Sequence, residues 1–419
     1  MNSENKPAHF SDSLKIHDIR LFVGSVSFFT FASRALAVVI GFQIYRITHS
    51  AMALGWLGLV EAIPAISLVL FGGYVADHYN RRKILLVTRA SSLICACALV
   101  FLSWESHATS LFGLYAVIFM AGMARGFADP ANTAFEAQIV PRHLTVNASS
   151  WISSAWISCS VLGPASIGFA FDAWGAKGAY IIIAGCFFLS WVCTLMIAPK
   201  PQPMPDQRLP MLQSISQGWD FIRRNQPLLS AMCLDLLAVL FGGAIALLPI
   251  YADDILHVGA KGLGLLNAAP SLGAVVMTLI ATRHPPIGKA GRNLIWTVLG
   301  FGISTLLFAF SRDFWLSLFF LFLTGIFDGV SMVIRRSMIR LLSPDNLRGR
   351  IAAANSIFIC SSNELGALES GMLASWIGVV PCVAIGGLAT LIVAGSVAWF
   401  APQLRRLKFN TTTMEHTTY

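Results

Sequence analysis

The sequence predicts an all-α polytopic membrane protein: twelve transmembrane helices in two pseudo-symmetric six-helix halves. Three observations predict it. The 419 residues are 56% hydrophobic and 12% charged, against about 25% charged residues in an ordinary soluble domain, and the mean hydropathy is +0.70. The chain divides into twelve apolar runs, each close to the roughly 20 residues that cross a bilayer as a helix. Glycine, proline and apolar positions of the first six runs recur in the last six.

The first twenty residues, MNSENKPAHFSDSLKIHDIR, are polar and lack an apolar core, so 1–20 is expected to be a tail without a cleaved leader. The first half, 21–198, holds spans near 21–45, 52–76, 84–104, 109–138, 146–170 and 178–198. A linker, 199–227, follows. It opens on the Pro-rich APKPQPMP, an extended composition. It then offers Leu212, Ile215, Trp219 and Ile222 at helical spacing, with Arg223 and Arg224 behind them. That pattern predicts an amphipathic helix on the inner membrane face. The second half, 228–401, holds spans near 228–251, 262–282, 293–311, 314–342, 351–374 and 379–401, and 402–419 is a second tail. With the N-terminus inside, nineteen Lys and Arg residues fall in inner segments and four (Arg46, Lys177, Lys261, Arg312) in outer ones. This bias predicts both tails in the cytoplasm. It also accounts for the net charge of +9 without a nucleic-acid partner.

The repeat is explicit in places. LGLVEAIP (57–64) matches LGLLNAAP (263–270), and Gly122, Gly126 and Pro141 match Gly325, Gly329 and Pro344. Two parallel six-helix repeats are the signature of a rocking transporter.

GGYVADHYNRRK (72–83) resembles the loop 2–3 signature of the major facilitator superfamily. It carries Gly73, Asp77 four residues on, and then Arg81, Arg82 and Lys83. The resemblance implies the major facilitator fold and a conformational latch made by Gly73, Asp77, Arg81 and Arg82. Asn80 replaces the usual glycine; asparagine tolerates positive φ better than most residues. The second-half loop, HPPIGKAGRN (284–293), keeps only its basic residues. SCSVLGPASIG (158–168) resembles the antiporter motif of exporters through Gly163, Pro164 and Gly168. GMARG (122–126) resembles the arginine element linked to proton exchange, through Arg125. DLLAVLFGGAIALLPIYADDIL (235–256), LRGRIAAANS (347–356), SSNELGALESG (361–371) and FQIYRITHS (42–50) are similar to a bacterial branch that includes the enterobactin exporter. That resemblance implies proton-driven export of a small molecule, a siderophore first, from a monomeric protein of the bacterial inner membrane. Antibiotic or multidrug efflux and small-molecule import are the alternatives.

Ionisable side chains inside spans are functional candidates by default, because a charge at the bilayer centre is expensive. Arg34 is either a substrate contact or half of a structural pair with Glu61. Glu61 is either protonatable or a hydrogen-bonding group like its repeat mate Asn267. Arg125 and Asp129, four apart, share a helix face and can pair. Asp235 is a further carboxylate, and Asp328 stands at the repeat position of Arg125. Of Arg335 and Arg336, one is expected to snorkel to the inner surface and the other to attract an anionic group. Glu364 and Glu369 lie roughly 140° apart around their helix. One is expected to face a central cavity. The other would meet a neighbouring helix, with Arg335 or Arg336 as partner. Phe28, Phe29, Phe31, Trp151, Trp156 and Phe241 either line that cavity or pack against lipid.

The eight cysteines sit in apolar runs without metal-ligand spacing, and no histidine has a partner at useful spacing. The sequence has no phosphate-binding loop, nucleophile elbow or haem motif. It therefore predicts no enzyme, no cofactor and no metal. The expected partners are a small solute, protons and lipid, with a gradient as the energy source.

Overall fold

Apolar runs of this length close their own backbone hydrogen bonds only as helices, and the computed structural model is helical nearly throughout the residues it describes: 12–104, 110–201, 211–283, 286, 288–344 and 347–409. Expectations for 1–11, 202–210, 284–285 and 410–419 lie outside the described residues. So do the side chains of Leu212, Ile215, Arg348 and Arg350.

The long helices are α1 (His17–Thr48), α2 (Ala51–His78), α3 (Arg81–Leu102), α4 (Leu111–Ile139), α5 (145–174), α6 (176–196), α7 (Gln226–Phe241), α8 (Gly259–Arg283), α9 (Ala290–Phe310), α10 (Phe314–Leu342), α11 (Arg348–Ile377) and α12 (Val379–Phe400). Helices α5 and α6 are continuous in hydrogen bonding but break at Gly175, whose φ of 67° only glycine adopts freely. Ten stretches are long and apolar enough to cross a membrane. Gly175 divides one of them in two, and α11 supplies the remaining helix of the twelve. α7 continues through a 3₁₀ turn (Ala244–Leu247) and a π turn (Tyr251–Ile255) before α8 begins.

Packing divides the chain into two compact units, residues up to 43 with 63–207, and residues 44–62 with 208 onward. In the first unit Ile19, Phe22 and Val26 of α1 pack with Ala76 of α2, Leu85 of α3, Phe135 of α4 and Ile152 of α5. Buried hydroxyls fasten α1 to α6: Ser25 lies 2.7 Å from Thr194 and 3.1 Å from Ser190. Tyr180 donates to Gln43 Oε1 at 2.6 Å. In the second unit Leu234, Leu294, Val298, Ile334, Met338 and Ala394 form the core of α7, α9, α10 and α12. The linker helix Met211–Arg224 packs there too. Ile222 is fully buried beside Leu228, Met232 and Ile339, and Trp219 stacks on Phe358 at 5.1 Å. Protein therefore covers these apolar side chains. The end of α1 and start of α2 also belong to this unit, where Tyr45 donates to the Asp254 carboxylate.

The repeated glycines mark helix crossings. Gly126 meets Ala65 and Leu68 of α2, where an added methyl group would lie 2.8–2.9 Å from their atoms. In the second half Gly325, the repeat mate of Gly122, leaves no room for a side chain against the Pro270 carbonyl of α8. Small residues let helix backbones approach this closely.

Candidate functional site

The loop between α2 and α3 is built from the signature residues. Asn80 has φ −63° and caps α3, its side chain accepting from the Lys83 amide at 3.2 Å. Positive φ is thus not what its place requires; an N-cap acceptor is. Arg81 donates to the Ala76 carbonyl and the Ala134 carbonyl of α4, both at 3.1 Å, with Asp77 3.9 Å away. Arg82 donates to the Leu195 carbonyl of α6 at 2.6 Å. Gly73 is half-buried. The basic side chains thereby tie the loop to two neighbouring helix ends of the first unit, chiefly through backbone carbonyls.

Three residues of the exporter-like element in α5, Gly163, Pro164 and Gly168, are buried. Gly163 sits against α1: an added methyl group would come within 2.8 Å of the Phe31 carbonyl oxygen and 3.4 Å of Arg34. Arg34 lies over the Trp156 ring at 5.5 Å. On α4, Arg125 and Asp129 pair at 3.7 Å, and the Asp129 side chain is 63% exposed.

Sequence reasoning passed over Arg89, although a lone arginine in LLVTRASS carries the same signal as the charges it did select. Arg89 is the largest fully buried side chain described. Its guanidinium lies 3.5 Å from the Phe29 ring centre and donates to Asn132 Oδ1 at 3.3 Å. Arginine keeps its charge when buried; the ring face, the amide oxygen and the electrostatic attraction of Asp129 on α4 together stabilise it.

In the second unit three sequence candidates meet. Asp235 of α7 and Arg335 of α10, one hundred residues apart, form a buried, hydrogen-bonded ion pair. The other guanidinium nitrogen of Arg335 lies 3.9 Å from Asp328. Asp328, Ser331 and Arg335 follow one another at three and four residues, so they lie on one face of α10. A small recess between α7, α9 and α10 is lined by Asp235, Asp328, Thr297, Ser331, Phe301 and Phe327, among others. Ser331 Oγ, on the recess wall, and Arg335 Nε, in the ion-pair cluster, are buried and make no hydrogen bond among the described residues. Arg336, next to the pair, is exposed.

Helix α11 departs from expectation. Arg335 turns to α7 and to its own helix, not to either glutamate. The face bearing Ser362 and Gly366 packs on α7, where Gly366 meets the Leu240 carbonyl. On the same face, Glu369 accepts a 3.4 Å bond from Ser370 and is half-buried. The face bearing Glu364 and Gly371 packs on residues 51–58 of α2. Gly371 meets Gly55 there, and a methyl group on Gly58 would lie 3.1 Å from Glu364 Oε2. Glu61 stands three residues further along α2 and is half-buried.

The chain matches the family profile described as Major Facilitator Superfamily over residues 22–291. It is 24% identical over 377 residues to the enterobactin exporter EntS of Shigella flexneri and to that of Escherichia coli O81 (strain ED1a), covering 89% of this chain and 89% of each relative. Among solved structures it resembles a POT family transporter in complex with a thioalcohol-conjugated peptide, with a TM-score of 0.73 and 13% identity over 92% of this chain and 96% of that one. A mutant of the nucleoside transporter NupG gives a TM-score of 0.71 at 13% identity, covering 91% and 100%. The all-α fold, the span-forming helices and the profile match agree: this multi-pass membrane protein belongs to the major facilitator superfamily of transporters.

Proposed function

We propose that this chain is a proton-driven exporter of a small metabolite, with siderophores as the first substrate class, in a bacterial inner membrane. The observation that carries the export reading is the likeness to enterobactin exporters along 89% of both chains. The buried Asp235–Arg335 pair with the half-exposed Asp328 beside it supports the proton part. A guanidinium shared unequally by two carboxylates leaves one of them able to load and release a proton as the helices move. Both tails and the linker face the cytoplasm, the chain works as a monomer, and the halves 21–198 and 228–401 alternate access to the substrate. Glu61, Glu364, Glu369, Arg34 and the Arg125–Asp129 pair supply further polar contacts along the substrate path.

Inside-out vesicles containing the full chain, energised to an acidic lumen, test this reading. Adding a catecholate siderophore should partly dissipate the pH gradient and accumulate the siderophore inside. Dissipation by lipophilic cationic dyes alone would replace the siderophore with drug-like cargo. Uptake by right-side-out vesicles, with none by inverted ones, would replace export with import.

A further inference from the structure

We propose that the end of the second unit where α9 begins and α12 ends is a binding face for an anionic phospholipid, whose phosphate is held by Lys289, Arg292, Arg405, Arg406 and Lys408. The face needs no particular cargo; on the orientation proposed above, the lipid belongs to the cytoplasmic leaflet.

Two segments distant in sequence build it. After α12 the chain turns at Ala401 into a short helix, Pro402–Arg406, which lies against the first turn of α9. Leu404 is fully buried there with Ala290 and Leu294, and Leu407 and Phe409 pack beside them. The Gly291 amide donates to the Leu407 carbonyl at 3.4 Å, and a methyl group on Gly291 would overlap the Leu404 carbonyl oxygen. Glycine at this position is what lets the tail backbone approach α9. Each of the five cations is one or two residues from Gly291, Leu404 or Leu407, so this backbone contact gathers them in one place. All five are exposed.

The gathered charge has no protein counter-ion. The sequence holds no Asp or Glu between Asp254 and Asp313, nor between Glu369 and Glu415. Among the described residues none of the five side chains makes an ion pair or a hydrogen bond. The first unit treats the cations of its corresponding segments differently. Arg81 and Arg82 donate to backbone carbonyls, and Lys200, just after α6, pairs with Asp18 at 2.5 Å. The charge bias that sets topology requires only a number of Lys and Arg residues in inner loops. It does not require a docked tail that concentrates them and leaves them unpaired.

Apolar surface beside the cations points to a lipid and not to a soluble anion. On α9, Trp296 is four residues from Arg292, shares its face and is 63% exposed. At the end of α12, Trp399 and Phe400 are 81% and 82% exposed, immediately before the short helix. Tryptophan collects at the level of lipid headgroups, where its ring meets acyl chains and its N–H meets polar groups. The rise from Arg292 to Trp296 is about 6 Å. Cations outside and rings inside is the order that a phosphodiester and its acyl chains require, and basic surfaces between helix ends hold anionic headgroups in this way.

Native mass spectrometry of the full chain in detergent, titrated with phosphatidylglycerol, cardiolipin or phosphatidylcholine, tests the face. The two anionic lipids should give saturable adducts and phosphatidylcholine should not. A basic residue near an anionic surface is worth roughly fivefold in affinity. Lys289→Gln/Arg292→Gln and Arg405→Gln/Arg406→Gln should therefore each weaken the adducts about 10-fold or more. Arg405→Lys/Arg406→Lys should retain them. Arg223→Gln/Arg224→Gln, an equal loss of charge on the linker helix, should leave them unchanged. The substituted side chains are exposed and should not move the melting midpoint, so lost adducts report the face and not unfolding. Wild-type affinity in both site variants, or an equal loss in the linker variant, overturns the proposal. So does displacement of the lipids by inorganic phosphate, which would make this a site for a soluble anion.

Discussion

Replacing Arg335 should damage the protein more than replacing either of its carboxylates, and the order of damage can be worked from the geometry. Truncating one partner of a buried ion pair costs about 3–5 kcal/mol, because the other charge is stranded out of water. Arg335→Met strands two carboxylates, Asp235 at 9% side-chain exposure and Asp328 at 41%, and belongs at the upper end. Asp235→Asn leaves Arg335 with Asp328 3.9 Å away, and belongs near about 3 kcal/mol. Asp328→Asn removes only that long contact from a half-exposed side chain and should cost about 1 kcal/mol or less. The double variant Asp235→Asn/Arg335→Met removes both charges of the short pair and should lie well above Arg335→Met alone in stability. For 419 residues the unfolding entropy is about 0.9 kcal/mol per degree. Midpoints should therefore fall by about 6, 3 and 1 °C for the three single variants. Thermal unfolding of the purified full chain in detergent, followed by thiol-probe fluorescence, reads these shifts. The reasoning fails if Asp328→Asn falls as far as Arg335→Met, or if the double variant falls by the sum of its singles.

Other consequences are separate. Phe29→Leu should destabilise the first unit by about 0.5–2 kcal/mol by removing the ring face beneath Arg89, visible in the same melt, while Phe28→Leu on the neighbouring, more exposed position should not. Gly325→Val should abolish a monodisperse size-exclusion peak, since a side chain there collides with the Pro270 carbonyl; Gly185→Val, with open space around it, should leave the peak unchanged. Arg81→Ala should raise amide hydrogen exchange at the α2–α3 loop and the end of α4, because two carbonyls lose their donor, with no change in the second unit. Asn80→Ala should cost about 1 kcal/mol as a lost helix cap, whereas Asn80→Asp should retain stability; equal loss in both would remove the capping role.

Hydropathy, charge bias and local spacing carry a first set of features without any knowledge of packing. Apolar runs set where helices form, because a backbone in lipid has no other partner than itself. The internal repeat paired Gly122 and Gly126 with Gly325 and Gly329; that Gly126 and Gly325 sit at helix crossings is seen only in the packing. Spacing placed Asp328 and Arg335 on one face of α10, and Arg125 beside Asp129. Partners, in contrast, came from the packing. Helical periodicity gives the direction in which a side chain points, not the helix that comes to meet it. So Arg335 found Asp235 one hundred residues away instead of a glutamate of α11, and Glu364 came to lie over Gly58. Arg89 emerged as a buried cation because Phe29 and Asn132, neither of them charged, converge on it. The ring, the amide and the attraction of Asp129 come from helices other than α3, so nothing near Arg89 in the sequence announces them; the packing of three helices brings them together.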